Sequence, residues 1–172
     1  MSRSKVIIGL AVAIALQFLV LSGMVLKAAM PLWTGTEVRV KTVPVDPRSM
    51  FRGNYARLDY DIGQLPNSVL QDVTSLRIGE VVYVSLESTE DGLYSIMGAS
   101  LDKPSAGVFL RGRIVNNQRP YRVRYGIEAF FAPKTKALQL ERDLRNGGVA
   151  VLMVTDNGSV ALRDVVPNIS EE

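Results

Sequence analysis

The polar and apolar positions follow two different rules along the chain. Residues 6–26 read VIIGLAVAIALQFLVLSGMVL, a run of 21 residues with no charge. As a helix this run is about 31 Å long, the thickness of a bilayer's hydrocarbon core, and it predicts a transmembrane anchor. The competing readings are a buried core helix and a cleaved signal peptide. An apolar signal core is normally about 7–15 residues and is followed by a small-x-small cleavage site. Here the nearest such site, Lys27-Ala28-Ala29, sets a lysine at the critical upstream position. An uncleaved anchor fits better. Pro31 is expected to end the helix, and Trp33 to anchor at the interface or, alternatively, to pack in the core.

Beyond this run the pattern changes to period two, the mark of half-buried strands. Residues 37–43 alternate polar and apolar, and residues 44–47 break the pattern with two prolines. Residues 54–62 alternate again, with Tyr55, Arg57, Asp59 and Asp61 on one face and Ala56, Leu58, Tyr60 and Ile62 on the other. Residues 63–67 read as a loop, and 68–76 carry no clear pattern. Residues 81–86 and 93–97 predict strands around a turn at 88–92, and 108–115 and 121–131 a further pair joined by 116–120. Residues 137–145 predict a helix with Leu138, Leu140 and Leu144 on one face, stopped by Asn146-Gly147-Gly148. Residues 149–154 and 159–165 flank Asp156-Asn157-Gly158, a strong hairpin signal.

The expected fold is mainly β (α+β): one N-terminal transmembrane helix, then a compact mixed-sheet or barrel-like β domain with one helix in its C-terminal half. The expected division is a cytoplasmic tail (1–5), an anchor (6–26), a juxtamembrane linker (27–36), an exported β-rich domain (37–166) and a C-terminal tail (167–172).

Charge then sets the orientation. The 20 basic and 17 acidic residues give a net +3, and the sequence pI of about 9.3 hints at nucleic acid. The hint fails on position. Arg3, Lys5 and Lys27 bracket the apolar run and every acid follows residue 30, so residues 31–172 carry 17 of each sign. A nucleic-acid module needs a net basic domain. With Arg3 and Lys5 outweighing Lys27, the N-terminus is expected in the cytoplasm and the β domain on the exported side. In a bacterium that means the inner membrane, with the domain in the periplasm.

The chain has no cysteine and no histidine, which removes thiol nucleophiles, imidazole-ligated zinc and the Ser-His-Asp triad. Three sets of residues remain as candidates. Ser49, followed by Met50 shortly after the anchor, suggests a Ser–Lys peptidase distantly like signal peptidases, although none of Lys103, Lys134 and Lys136 sits in anything like that family's lysine box. Arg111, Arg113, Arg122 and Arg124 sit two apart on adjacent predicted strands, with no acid between Lys103 and Glu128. They could grip a phosphate, a lipid head group or a partner's carboxylates. The alternative is an ordinary solvent face paired with Asp59, Asp61 or neighbouring Glu residues. Asp59 and Asp61 share a strand face, but two carboxylates without a third ligand make a poor metal site. No metal or other cofactor is expected.

The tract Arg52-Gly53-Asn54-Tyr55-Ala56-Arg57-Leu58-Asp59-Tyr60 resembles the signature of the GDYXXLXY family. Gly53, Tyr55, Leu58 and Tyr60 match it, and Asp46-Pro47-Arg48 fits upstream. Phe109-Leu110-Arg111-Gly112-Arg113 resembles a later block, as do the run from Tyr125-Gly126-Ile127-Glu128 through Phe131 to Pro133 and the pair Leu140-Glu141. The resemblance runs from about Val45 to Val166. It departs at Asn54, where the family usually has Asp, at Ala129 for Arg, and at Lys134 for Glu. If the family's Asp and Arg pair, this chain has lost both members.

The resemblance implies a membrane-anchored bacterial protein, often encoded beside polytopic membrane proteins, and brings no catalytic residue with it. Within the signature, Leu58 and Tyr60 are expected to fill the core and Tyr55 to face outward. The leading expectation is a single-pass accessory protein that binds or stabilises a polytopic membrane partner and has no enzymatic activity. The Ser49 peptidase and a receptor for an anionic ligand at the arginine face are the alternatives.

Overall fold

A computed structural model gives the fold and describes residues 3–43, 55–70, 76–131 and 147–167. One helix, α1 (Arg3–Thr34), leads into β1 (Thr36–Val43), β2 (Tyr55–Arg57), β3 (Asp59–Tyr60) and β4 (Gln64–Leu65). There follow β5 (Val81–Ser88), β6 (Tyr94–Ser100), β7 (Val108–Ile114), β8 (Tyr121–Arg124), β9 (Ala129–Phe131), β10 (Gly148–Val154) and β11 (Val160–Pro167). Every ladder among the described residues is antiparallel. The strands form a sheet ordered β11-β10-β1-β3, a sheet ordered β4-β8-β7-β5-β6, and the pair β2-β9. One of the sheets is nearly closed and barrel-like, the second of the two expected forms.

The helix is 32 residues long, about 48 Å at the α-helical rise. From Ser4 to Thr34 it is long and apolar enough to cross a membrane, and none of its most apolar stretch is buried against the rest of the chain. Pro31 does not end it, contrary to expectation. The proline forfeits one backbone bond, but the ladder resumes at once, with the Gly35 N–H donating to the Pro31 carbonyl at 2.9 Å. The Thr34 hydroxyl donates to the Met30 carbonyl at 3.0 Å. Pro31 is itself buried where the helix end meets β10 and β11. Residues 27–34, expected as linker, are therefore helix. Trp33 is 69% exposed and takes no part in the core.

The end of the helix and the β domain meet at Gly35. A Cβ there would lie 2.5 Å from the Pro31 carbonyl oxygen, 2.8 Å from the Val154 nitrogen and 2.9 Å from the Met153 carbonyl carbon. Only glycine allows this approach, because all three obstacles are backbone.

Alternation in the sequence becomes burial in the strands. In β1, Val38, Val40 and Thr42 point inward while Glu37, Arg39 and Lys41 face water. β5 buries Val82, Val84 and Leu86 in the same way. β10 runs between β1 and β11 and is buried on both faces apart from Val151, as its continuous GVAVLMV requires. Thr42 is the one buried polar residue among those described. Its hydroxyl donates to the Gly148 carbonyl at 2.9 Å and accepts from the Gly148 N–H at 2.8 Å, closing the end of the β1–β10 ladder.

Three expectations change. The strand expected over 54–62 is two short strands, broken at Leu58 and ending in a 3-10 turn at Asp61–Gly63. The loop expected at 63–67 contains β4, which pairs with β8. The strand expected over 121–131 divides into β8, paired with β7 and β4, and β9, paired with β2. The break falls at Gly126, whose φ is +89°, a value that glycine adopts without strain. The helix expected at 137–145 and the breaker at 44–47 lie outside the described residues. The hairpin around Asp156-Asn157-Gly158 forms as its sequence predicts.

Candidate functional site

Two groups of residues stand out once the strands are assembled. The first is the contact between the family signature and the turn that separates β8 from β9. The Leu58 N–H donates to the Glu128 carbonyl at 2.9 Å. The Tyr60 hydroxyl donates to the Ile127 carbonyl at 2.7 Å, and the Tyr125 hydroxyl donates back to the Ile62 carbonyl at 2.7 Å. Each segment thus contributes a buried tyrosine that caps a carbonyl of the other. Burial pushes both phenols far above the usual tyrosine range. The carboxylate of Glu128 adds to this at both, joined by Asp59 at Tyr60 and by Asp61 at Tyr125. Neither ring is available as an acid or base near neutral pH.

Glu128 holds the turn from inside. Its carboxylate accepts the Tyr125 N–H at 2.6 Å and the Gly126 N–H at 3.0 Å. Leu58 and Tyr60 are buried, as the signature predicts. Tyr55 and Phe131 are register partners in the β2–β9 ladder. Arg52, Gly53, Asn54 and Glu141 lie outside the described residues, and so does the comparison of Asn54 with Ala129. Ala129 itself stands opposite Arg57.

The second group is a cleft of about 730 Å³ whose walls include Ile78, Arg111, Arg113, Arg124, Gly126 and Ser159. Arg111 and Arg113 project to solvent from β7, and Gly112 between them is turned inward. A side chain on Gly112 would strike Val123 and the Tyr125 ring, so the glycine lets β8 lie close. Arg113 stands directly opposite Arg124 in the β7–β8 register. One Nη of Arg113 donates to the Gly79 carbonyl at 2.9 Å. The Arg111 backbone N–H donates to the Gly158 carbonyl at 2.8 Å, tying the β10–β11 turn to β7. No carboxylate lines this cleft among the described residues.

The four arginines are thereby divided. Arg122, on the same face of β8, is held by Asp59 at 2.6 Å and lines an adjoining hollow with Asp59 and Glu128, a hollow that Arg124 lines as well. For Arg122 the solvent-face reading holds. For Arg111, Arg113 and Arg124 no ion pair forms among the described residues. Ile78, Gly79 and Ser159 escaped the sequence reading because they reach the cleft from separate connections. The Asp-Asn-Gly turn was visible, but not what it touches.

The remaining candidates fall partly outside the described residues. Asp61 sits in the 3-10 turn, its carboxylate accepting the Ile62 N–H at 2.7 Å. Loss of water around that carboxyl raises its pKa, against the lowering effect of the Ile62 N–H and Lys41. No group of three or more potential metal ligands occurs among the described residues. Ser49, Lys134 and Lys136 lie outside them, and the Lys103 ammonium sits 5.8 Å from the centre of the Phe109 ring.

Fold and surface together define a small antiparallel β domain carried on one long apolar N-terminal helix. The family model described as "GDYXXLXY protein" matches residues 17–165. The chain belongs to the GDYXXLXY family. The match begins inside α1, so it takes in the second half of the helix as well as the domain recognised from its motifs. No curated protein and no solved structure matches significantly.

Proposed function

We propose that this is a single-pass membrane protein whose β domain faces the periplasm of a bacterium and whose role is to bind and stabilise a polytopic partner in the inner membrane. The observation that carries the reading is α1. Its apolar run has no polar face, it is exposed from Ser4 to Ala28, and none of its most apolar stretch packs against its own domain. A helix of that kind is either buried in protein or immersed in lipid. Arg3 and Lys5 precede the apolar run and Lys27 alone follows it closely, which favours a cytoplasmic N-terminus. The packing of the helix end, through buried Pro31 and the close approach at Gly35, supports an accessory role, because the domain is then held close against the membrane at a fixed angle.

The test is co-purification in mild detergent. The full-length protein is compared with a chain in which residues 6–26 are replaced by an unrelated apolar span. The expected result is a specific integral membrane protein that accompanies the native helix and is lost or reduced with the replacement. Recovery of no integral membrane protein with the native chain would contradict the accessory role.

A further inference from the structure

We propose that the cleft formed by Arg111, Arg113 and Arg124 binds a phosphoryl oxyanion, supplied by the head group of an anionic membrane lipid. Arg113 and Arg124 stand directly opposite in the β7–β8 ladder, where two like charges repel. No ion pair among the described residues relieves them; Arg122, which has Asp59, does not line the cleft but shares the adjoining hollow with Arg124. The nearby Glu128 carboxylate is engaged by the Tyr125 and Gly126 N–H groups. An oxyanion between the guanidiniums turns the repulsion into charge-assisted hydrogen bonds, for which the planar fork of arginine suits phosphate.

Position selects the lipid. Thr36, the second residue after α1, is the register partner of Val154, and Val154 is that of Val160. The three form one row across β1, β10 and β11, and Val160 and Ser159 line the cleft. Two strand spacings, about 10 Å, therefore separate the cleft wall from the exit of the helix. That row is the end of the sheet nearest the apolar segment, with exposed Trp33 less than one turn back along the helix. Ile78, 64% exposed, adds an apolar lip beside the arginines. A ligand that pairs a phosphate with hydrocarbon fits both.

This inference rests on the membrane-anchored reading, and the experiment separates the two. The full-length protein is analysed by native mass spectrometry in detergent with phosphatidylglycerol or phosphatidylcholine. The expected result is a preference for phosphatidylglycerol of about tenfold or more, the equivalent of one charge-assisted hydrogen bond. The preference should disappear in Arg111→Gln/Arg113→Gln/Arg124→Gln and fall in Arg124→Gln alone. It should persist in Arg39→Gln/Arg163→Gln, whose exposed arginines pair with Glu37. The single variant guards against misfolding, since the Arg124 side chain makes no hydrogen bond or ion pair among the described residues. Inorganic phosphate should compete with the lipid.

Absence of any preference in the native chain, or a preference that survives the triple substitution, overturns the proposal. Binding of phosphate without binding of phosphatidylglycerol overturns the lipid assignment. Alkaline extraction of native membranes reads the anchor separately. Release of the protein by alkali would defeat the anchored reading, whereas retention with no lipid preference would defeat the cleft alone.

Discussion

Gly35 joins the helix to the domain by what it lacks. The backbone atoms facing its α-carbon belong to the helix end on one side and to β10 on the other. Gly35→Ala is expected to cost about 1–3 kcal/mol, the range for overpacking a close contact, measured by denaturation of the detergent-solubilised chain. An unchanged midpoint would show that the contact yields freely. Tyr60 and Tyr125 act through their hydroxyls, and each Tyr→Phe change should cost about 1–2 kcal/mol through the carbonyl left without a partner. The same pair predicts a pH dependence. A phenol whose pKa is raised by folding keeps its proton in the native state while the unfolded chain begins to lose it near pH 10, so stability should fall as pH rises beyond about 10. Chemical denaturation at pH 8 and at pH 10.5–11 should show that fall, and Tyr60→Phe/Tyr125→Phe should flatten it.

At the scale of elements, the turn between β8 and β9 decides which strands pair. Glu128→Ala removes the acceptor for two backbone N–H groups. The expected loss is about 1.5–3 kcal/mol for hydrogen bonds to a charged group. Amide exchange at Tyr125 and Gly126 should accelerate more than at β5, and uniform acceleration across the sheets would contradict a local role. This turn also marks how far the sequence could be read. The alternation in β1 and β5 translated into burial because one face of each strand packs inward. The hairpin at Asp156-Asn157-Gly158 was visible because its turn chemistry is local. The division of residues 121–131 was not, since it turns on the partners of the two halves, one of which comes from β2, far back in the sequence. Pro31 misled for a related reason. Its missing N–H costs one helical bond, but its burial against β10 and β11 depends on residues more than a hundred positions away.

For the whole molecule, position along the chain mattered more than composition. The excess of basic residues brackets the apolar run, and the rest of the chain is balanced in sign. The arginine set was legible as a cluster, yet only the fold separates Arg122, tied to Asp59, from the three that line the cleft near the helix exit. That split follows from register and from turns on different strands, neither of which spacing alone supplies.

The central claim is that one helix crosses the membrane and leaves the β domain on the exported side. The chain has no cysteine, so single-cysteine variants report topology without background. Ser4→Cys, at the start of α1, and Ser105→Cys, exposed before β7, are treated with a membrane-impermeant maleimide in cells whose outer membrane has been permeabilised. Labelling of Ser105→Cys with protection of Ser4→Cys until the inner membrane is lysed is the predicted result. Protection of Ser105→Cys, or equal labelling of both before lysis, would contradict it.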